Sequence, residues 1–120
     1  MATQVVEHAY RVWNEKGPRA FAELAAEDLE VHDPPELPDG QVWRGRDAVV
    51  AHFEDVVEAT GGRWADIDEV RAVGDEVLVS LTWRLERDNP ATLASVYHLV
   101  RVEGGRIVRI RVFLDKEAAT

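Results

Sequence analysis

The chain has no cysteine, which removes disulfides, thiolate nucleophiles and zinc–thiolate centres together and agrees with a reducing, cytoplasmic setting. It has no uninterrupted run of about 18 apolar residues, and Met1 to Gln4 lack the basic and apolar stretches of a secretory leader. A chain without membrane partners is expected. Basic side chains are in the minority: 14 Lys and Arg against 23 Asp and Glu leave a net charge of −9. Nucleic-acid affinity comes largely from cationic side chains releasing counterions, so a polyphosphate partner is not expected. Serine is scarce. Ser80 and Ser95 lie on predicted outward strand faces, and no Gly-x-Ser-x-Gly elbow frames either one. Glycine-rich phosphate loops are missing too, Gly61-Gly62 being too short. The four histidines, His8, His32, His52 and His98, are scattered with no paired spacing, so neither a metal nor a cofactor is expected.

What is present is enough for one core. The 120 residues, 46% hydrophobic and 31% charged, suit a single domain over residues 1–120. Val5, Val6, Ala9, Tyr10 and Trp13 recur at helical spacing over 3–15, with Thr3 as a candidate N-cap. Gly17-Pro18 breaks that helix, and Pro18 suits the first turn of a short second one carrying Phe21, Leu24 and Ala25. Residues 29–33 alternate as a strand until Pro34-Pro35 stop it, and a loop runs on to Val42. A third helix follows Gly45, with Val49, Phe53, Val56 and Val57 as its apolar stripe and His52 at the stripe's edge. Strand-like segments then occupy 64–73, 77–85, 92–102 and 106–114, punctuated by Gly74-Asp75, Asn89-Pro90 and Gly104-Gly105. Helices followed by an antiparallel meander predict an α+β domain with helices on one face of a curved sheet and a concave apolar pocket between them.

Two polar residues fall on apolar faces. Alternation aims Asp33 the same way as Leu29 and Val31, where a carboxylate serves either as a general base or as the organiser of the turn before Pro34-Pro35. Along Ala94, Val96, His98, Val100 and Val102, His98 is the one imidazole in an apolar row, placed to donate a hydrogen bond to a carbonyl or enolate oxygen or to be satisfied within the core. Tyr10 brings a hydroxyl on the first helix, and His52, Trp13, Trp43 and Trp83 are candidates to line a cavity for a flat or ring-shaped ligand.

Three segments, Glu27 to Pro34, Trp43 to Val49 and Tyr97 to Asp115, occur in an order and at intervals that resemble the SnoaL-like branch of the nuclear transport factor 2 superfamily, which includes ketosteroid isomerase. The resemblance covers essentially the whole chain. It implies a cone-shaped fold, a curved antiparallel sheet wrapped around three helices, and a homodimer through the sheet's outer face, where Tyr97, Leu99, Arg101, Arg111 and Phe113 point. Asp33 matches the isomerase's general base before a proline, and His98 stands where its oxyanion-stabilising acid would be. Tyr10 falls one residue from the position of its helical tyrosine. The implied activity is isomerase or cyclase chemistry, proton abstraction alpha to a carbonyl by Asp33 with His98, joined by Tyr10 or His52, at the oxygen. Around the small hydrophobic molecule His52, Trp13, Trp43, Trp83, Val100 and Val112 are expected. A limonene-epoxide-hydrolase pattern is not met, since 92–102 holds no acid and Val112 replaces the last-strand acid. The alternatives are a non-catalytic binding or scaffold protein and a scytalone-dehydratase-like lyase using His52, His98, Asp33 and Tyr10.

Overall fold

The structure, a computed structural model, describes residues 2–37, 40–89 and 91–119. The expected strand stop at Pro90, the middle of the loop after Pro34, and the leader comparison at Met1 thus fall partly or wholly outside the described residues. Ten elements follow one another: α1 (Ala2–Lys16), α2 (Pro18–Glu23), β1 (Glu30–His32), β2 (Val42–Arg44), α3 (Arg46–Thr60), β3 (Trp64–Val73), β4 (Glu76–Arg84), β5 (Thr92–Glu103), β6 (Arg106–Phe113) and α4 (Lys116–Ala119). No helix among them is long and apolar enough to cross a membrane.

α1 buries Val6, Ala9, Tyr10 and Trp13, the face its three- and four-residue spacing dictates. Thr3 lies within this helix and not ahead of it. Pro18 occupies the first turn of α2, where its missing N–H breaks no hydrogen bond. α3 ends at Gly61, whose φ of 71° suits the left-handed cap position and whose N–H reaches the Val57 carbonyl.

The six strands form one curved, unclosed sheet in the order β2-β1-β6-β5-β4-β3. β3 to β6 are the expected meander; β1 joins its edge parallel to β6 and pairs antiparallel with β2. The loop reading up to Val42 missed β2, three residues directly after a proline- and glycine-bearing segment. It exists as a strand because β1 offers its free edge, with Val31 opposite Trp43. Register shifts interrupt β3–β4 between Ile67 and Glu69 and β5–β6 between Arg101 and Val102, irregularities that bend and twist a ladder.

The inner sheet face packs on the helices through Val77, Val79, Val100, Ile107 and Ile110, closed by Val6, Leu29, Val31 and Val49. A second cluster lies on the outer face, where Leu78, Leu99 and Phe113 are covered by Ala119 of α4. This changes the expected outward row: Leu99 and Phe113 are 6% and 9% exposed, already covered by the chain's own last helix. Ser80 does face outward, yet it is buried beside this cluster. Arg109 and Arg111 share Glu76, and Arg106 reaches the carbonyls of Glu23 and Ala25, so the basic cluster serves the fold.

Candidate functional site

Between the helices and the concave sheet face lies a cavity of about 310 Å³, within the size range of small-molecule sites. Each element contributes a side chain for a reason visible in its local pattern. The buried stripe of α1 presents Tyr10 and Trp13, α2 presents Phe21, and the edge of α3 presents His52, Phe53, Val56 and Thr60. The alternating inner faces of the long strands add Leu81 and Trp83, then Ala94, Val96 and His98, then Ile110 and Val112. Asp33, Pro34 and Leu37 come from the loop after β1, and Leu114 follows β6. A wider depression of about 860 Å³ lies elsewhere, an open surface feature lined by Arg71, Tyr97, Lys116 and Glu117 among others.

Asp33 stands just past the end of β1, 14% exposed. Oδ2 accepts the Gln41 backbone N–H at 3.1 Å, Oδ1 accepts Trp43 Nε1–H at 3.3 Å, and His52 Nε2 lies 3.3 Å from Oδ1. The imidazole of His52 is stacked on the Trp43 indole, 4.4 Å between centroids and 12° from parallel. Burial holds His52 below the usual histidine range, although the charges of Asp33 and Asp55 pull the other way. Asp33 therefore both ties the ends of its loop, its own N–H reaching the Gln41 carbonyl, and opens on the cavity.

Deeper in, Tyr10 Oη and His98 Nδ1 are hydrogen-bonded at 2.6 Å. His98 is part-buried and lines the cavity. Burial pushes its pKa down to about 4, so the ring is neutral at pH 7 and carries one N–H. Burial also pushes the Tyr10 hydroxyl well above its ordinary value, so it keeps its proton. A neutral ring has two arrangements in this contact: the hydroxyl donates to Nδ1 and the ring's N–H sits on Nε2, or Nδ1–H donates to the hydroxyl oxygen. The group bonded to His98 is a hydroxyl, which brings no charge to favour imidazolium.

Of the residues singled out from sequence, Asp33, His98, Tyr10, His52, Trp13, Trp83 and Val112 line this one cavity. Trp43 and Val100 do not. Trp43 sits behind His52 as its stacking partner and as a donor to Asp33, while Val100 is sealed in the core because it lies two residues beyond His98, toward the closed part of the sheet. Phe53 and Val56 were read as core stripe, yet they form the cavity wall; a helical stripe facing a concave sheet carries no mark of where packing stops and space begins. Thr60, a lone polar residue at the end of that stripe, was the available signal for its role. Among the described residues no group of three or more His, Asp or Glu side chains is placed to hold a metal ion.

The family model described as a SnoaL-like domain matches residues 6–110. No curated protein matches the sequence. Solved structures with the same architecture include a candidate polyketide cyclase of Sinorhizobium meliloti, 19% identical with a TM-score of 0.71, covering 91% of this chain and 93% of that one. An NTF2-like protein of unknown function from Mesorhizobium loti is 24% identical, TM-score 0.71, covering 95% and 90%. A Catenulispora acidiphila protein with a ketosteroid-isomerase-like fold, in complex with trimethylamine, is 17% identical, TM-score 0.71, covering 99% and 91%. At these identities the likeness is one of fold.

Proposed function

We propose, since this chain belongs to the SnoaL-like domain family, that its cavity performs proton-transfer chemistry on a small, hydrophobic carbonyl compound, as an isomerase or a cyclase. Asp33 takes a proton from the carbon alpha to the carbonyl, and the electron pair moves onto the carbonyl oxygen. His98 Nε2–H, held by Tyr10, donates to that oxygen. In an isomerase the proton returns to another carbon of the conjugated system; in a cyclase the enolate carbon attacks a second carbonyl of the same molecule.

One observation carries this reading: two polar pairs, Asp33 with His52 and Tyr10 with His98, open on the same otherwise apolar cavity without satisfying each other. An acid–base group and an oxyanion donor need that separation, with substrate between them. The neutral His98 suits the role, because a neutral donor next to a developing oxyanion does not lose its proton before the reaction begins.

The test is hydrogen–deuterium exchange at the alpha carbon of acetophenone and 2-acetylnaphthalene in heavy water, followed by NMR. Asp33→Asn keeps the size of the side chain and removes the base, and it is expected to slow enzyme-dependent exchange by about 10²- to 10⁴-fold. Exchange within about threefold of the native protein would end the assignment of Asp33 as the base.

A second reading, a non-catalytic binder, is favoured by the two hydrogen bonds Asp33 already accepts from Gln41 N–H and Trp43 Nε1–H, which give it a structural task. There Asp33→Asn would leave ligand affinity unchanged and lower the melting temperature. The 3.3 Å approach of His52 to Asp33 also fits a dehydratase, in which the two would move protons between a carbon and a departing hydroxyl; a hydrated substrate losing water only in the presence of His52 would select it.

A further inference from the structure

One end of the cavity is set by a residue that does not line it. Gly62 is buried in the connection between α3 and β3, and its backbone is outside the left-handed region, so its φ does not call for glycine. Its surroundings do. A Cβ at this position would lie 2.8 Å from Trp83 Cε2, 2.6 Å from Leu93 Cδ1, and well inside contact distance of Trp83 Nε1. Leu93 is 41% exposed and can turn into solvent. The Trp83 indole is held in the interior: Nε1–H donates to Thr60 Oγ1 at 3.0 Å, and its other neighbours include Trp13, 5.9 Å away between centroids.

The Thr60 hydroxyl is fully used. It donates to the Val56 carbonyl at 2.8 Å and accepts from Gly62 N–H and from Trp83 Nε1–H, each at 3.0 Å, one donor and two acceptor positions occupied. The indole edge thus lies against the Gly62 backbone, and the same side chain lines the cavity. Packed interiors resist compression, so an atom added at Gly62 must displace the indole, and a displaced indole reshapes the cavity wall it forms.

We propose that Gly62 is a specificity-determining residue: by leaving room for the Trp83 edge it keeps this part of the cavity open, so that a side chain at position 62 penalises a two-ring ligand more than a single ring. This rests on the cavity being a ligand site, as in the preceding section, and not on the chemistry performed there.

Benzene and naphthalene, bound to the folded protein and titrated by NMR, test it. Neither has a carbonyl, so their affinities depend on the shape of an apolar cavity alone. Gly62→Ala is expected to weaken naphthalene by about 10- to 100-fold, the range of overpacking effects, and to leave benzene within about threefold. Adding Trp83→Phe removes the atoms that clash and is expected to restore naphthalene to within about threefold of the native protein. Equal loss of both hydrocarbons, unchanged naphthalene binding, no recovery in the double variant, or a native protein that binds neither hydrocarbon would overturn the proposal. Should Gly62→Ala fail to fold, Trp83→Phe alone carries the test: it deepens the same end, so naphthalene must gain on benzene, and a parallel change for both refutes the idea. Retained size selection with no exchange at acetophenone would strike the carbonyl chemistry and leave the role of Gly62 standing.

Discussion

Tyr10 and His98 illustrate how one hydrogen bond organises a neutral polar pair inside an apolar wall. The hydroxyl and Nδ1 are 2.6 Å apart, and Tyr10 is buried. Tyr10→Phe leaves Nδ1 unpaired in place, so it is expected to lower stability by about 1–3 kcal/mol, measured by urea unfolding. It is also expected to slow alpha-carbon exchange, because the ring loses the partner that directs its N–H. A variant as stable as the native protein would mean that water takes over the bond. At the same scale, Trp43 holds the His52 ring flat and donates to Asp33, so its effect on the cavity is positional although it does not face the ligand space.

Among the elements, α4 is the one whose task is least evident from its own four residues, Lys116–Ala119. Its Ala119 completes the outer cluster with Leu78, Leu99 and Phe113. A chain ending at Asp115 uncovers that patch, which then seeks another cover. Such a chain is expected to show a lower melting temperature and a greater weight-average mass in sedimentation. Unchanged values for both would show that α4 contributes nothing to covering the face. A second copy remains a proposed occupant of the outer sheet, meeting it at Tyr97, Arg101 and Arg111 and not at the two residues α4 already covers. β2 belongs to this scale as well: three residues, Val42–Arg44, become a strand only because β1 supplies an edge, and they bring Trp43 to the back of His52.

Across the whole molecule, the buried histidines make stability depend on pH. His98 has a folded pKa of about 4, and that of His52 is also lowered, both below the unfolded value near 6.5. In the window between those values the unfolded chain binds more protons than the folded one, so stability rises with pH. The contribution is fully present above about 6.5 and is lost as the pH falls toward 4, amounting to roughly 3 kcal/mol for His98 alone. Urea unfolding from pH 7.5 to 4.5 is expected to show this decline, and His98→Asn is expected to flatten it. An equal slope in the variant would assign the dependence to other groups.

Much of this was legible in the residues themselves. Periodicity located α1, α3 and the four-strand meander, since burial of one face requires a repeat of 3.6 or 2 residues whatever the final packing. The same parity aimed Asp33 and His98 inward, and the order of motifs indicated the family. Which polar side chains meet depends on contacts between elements far apart in sequence: Tyr10 and His98 are 88 residues apart, and only the curvature of the sheet over α1 joins them. Tertiary structure likewise decided that Trp43 and Val100 stay off the cavity, that Phe53 and Val56 line it, and that α4 covers Leu99 and Phe113. The sequence alone determined the faces each element must bury, because hydrophobic patterning is a local property. The position of the empty space between those faces was decided by the fold, because a cavity is what remains when separate elements cannot pack closer.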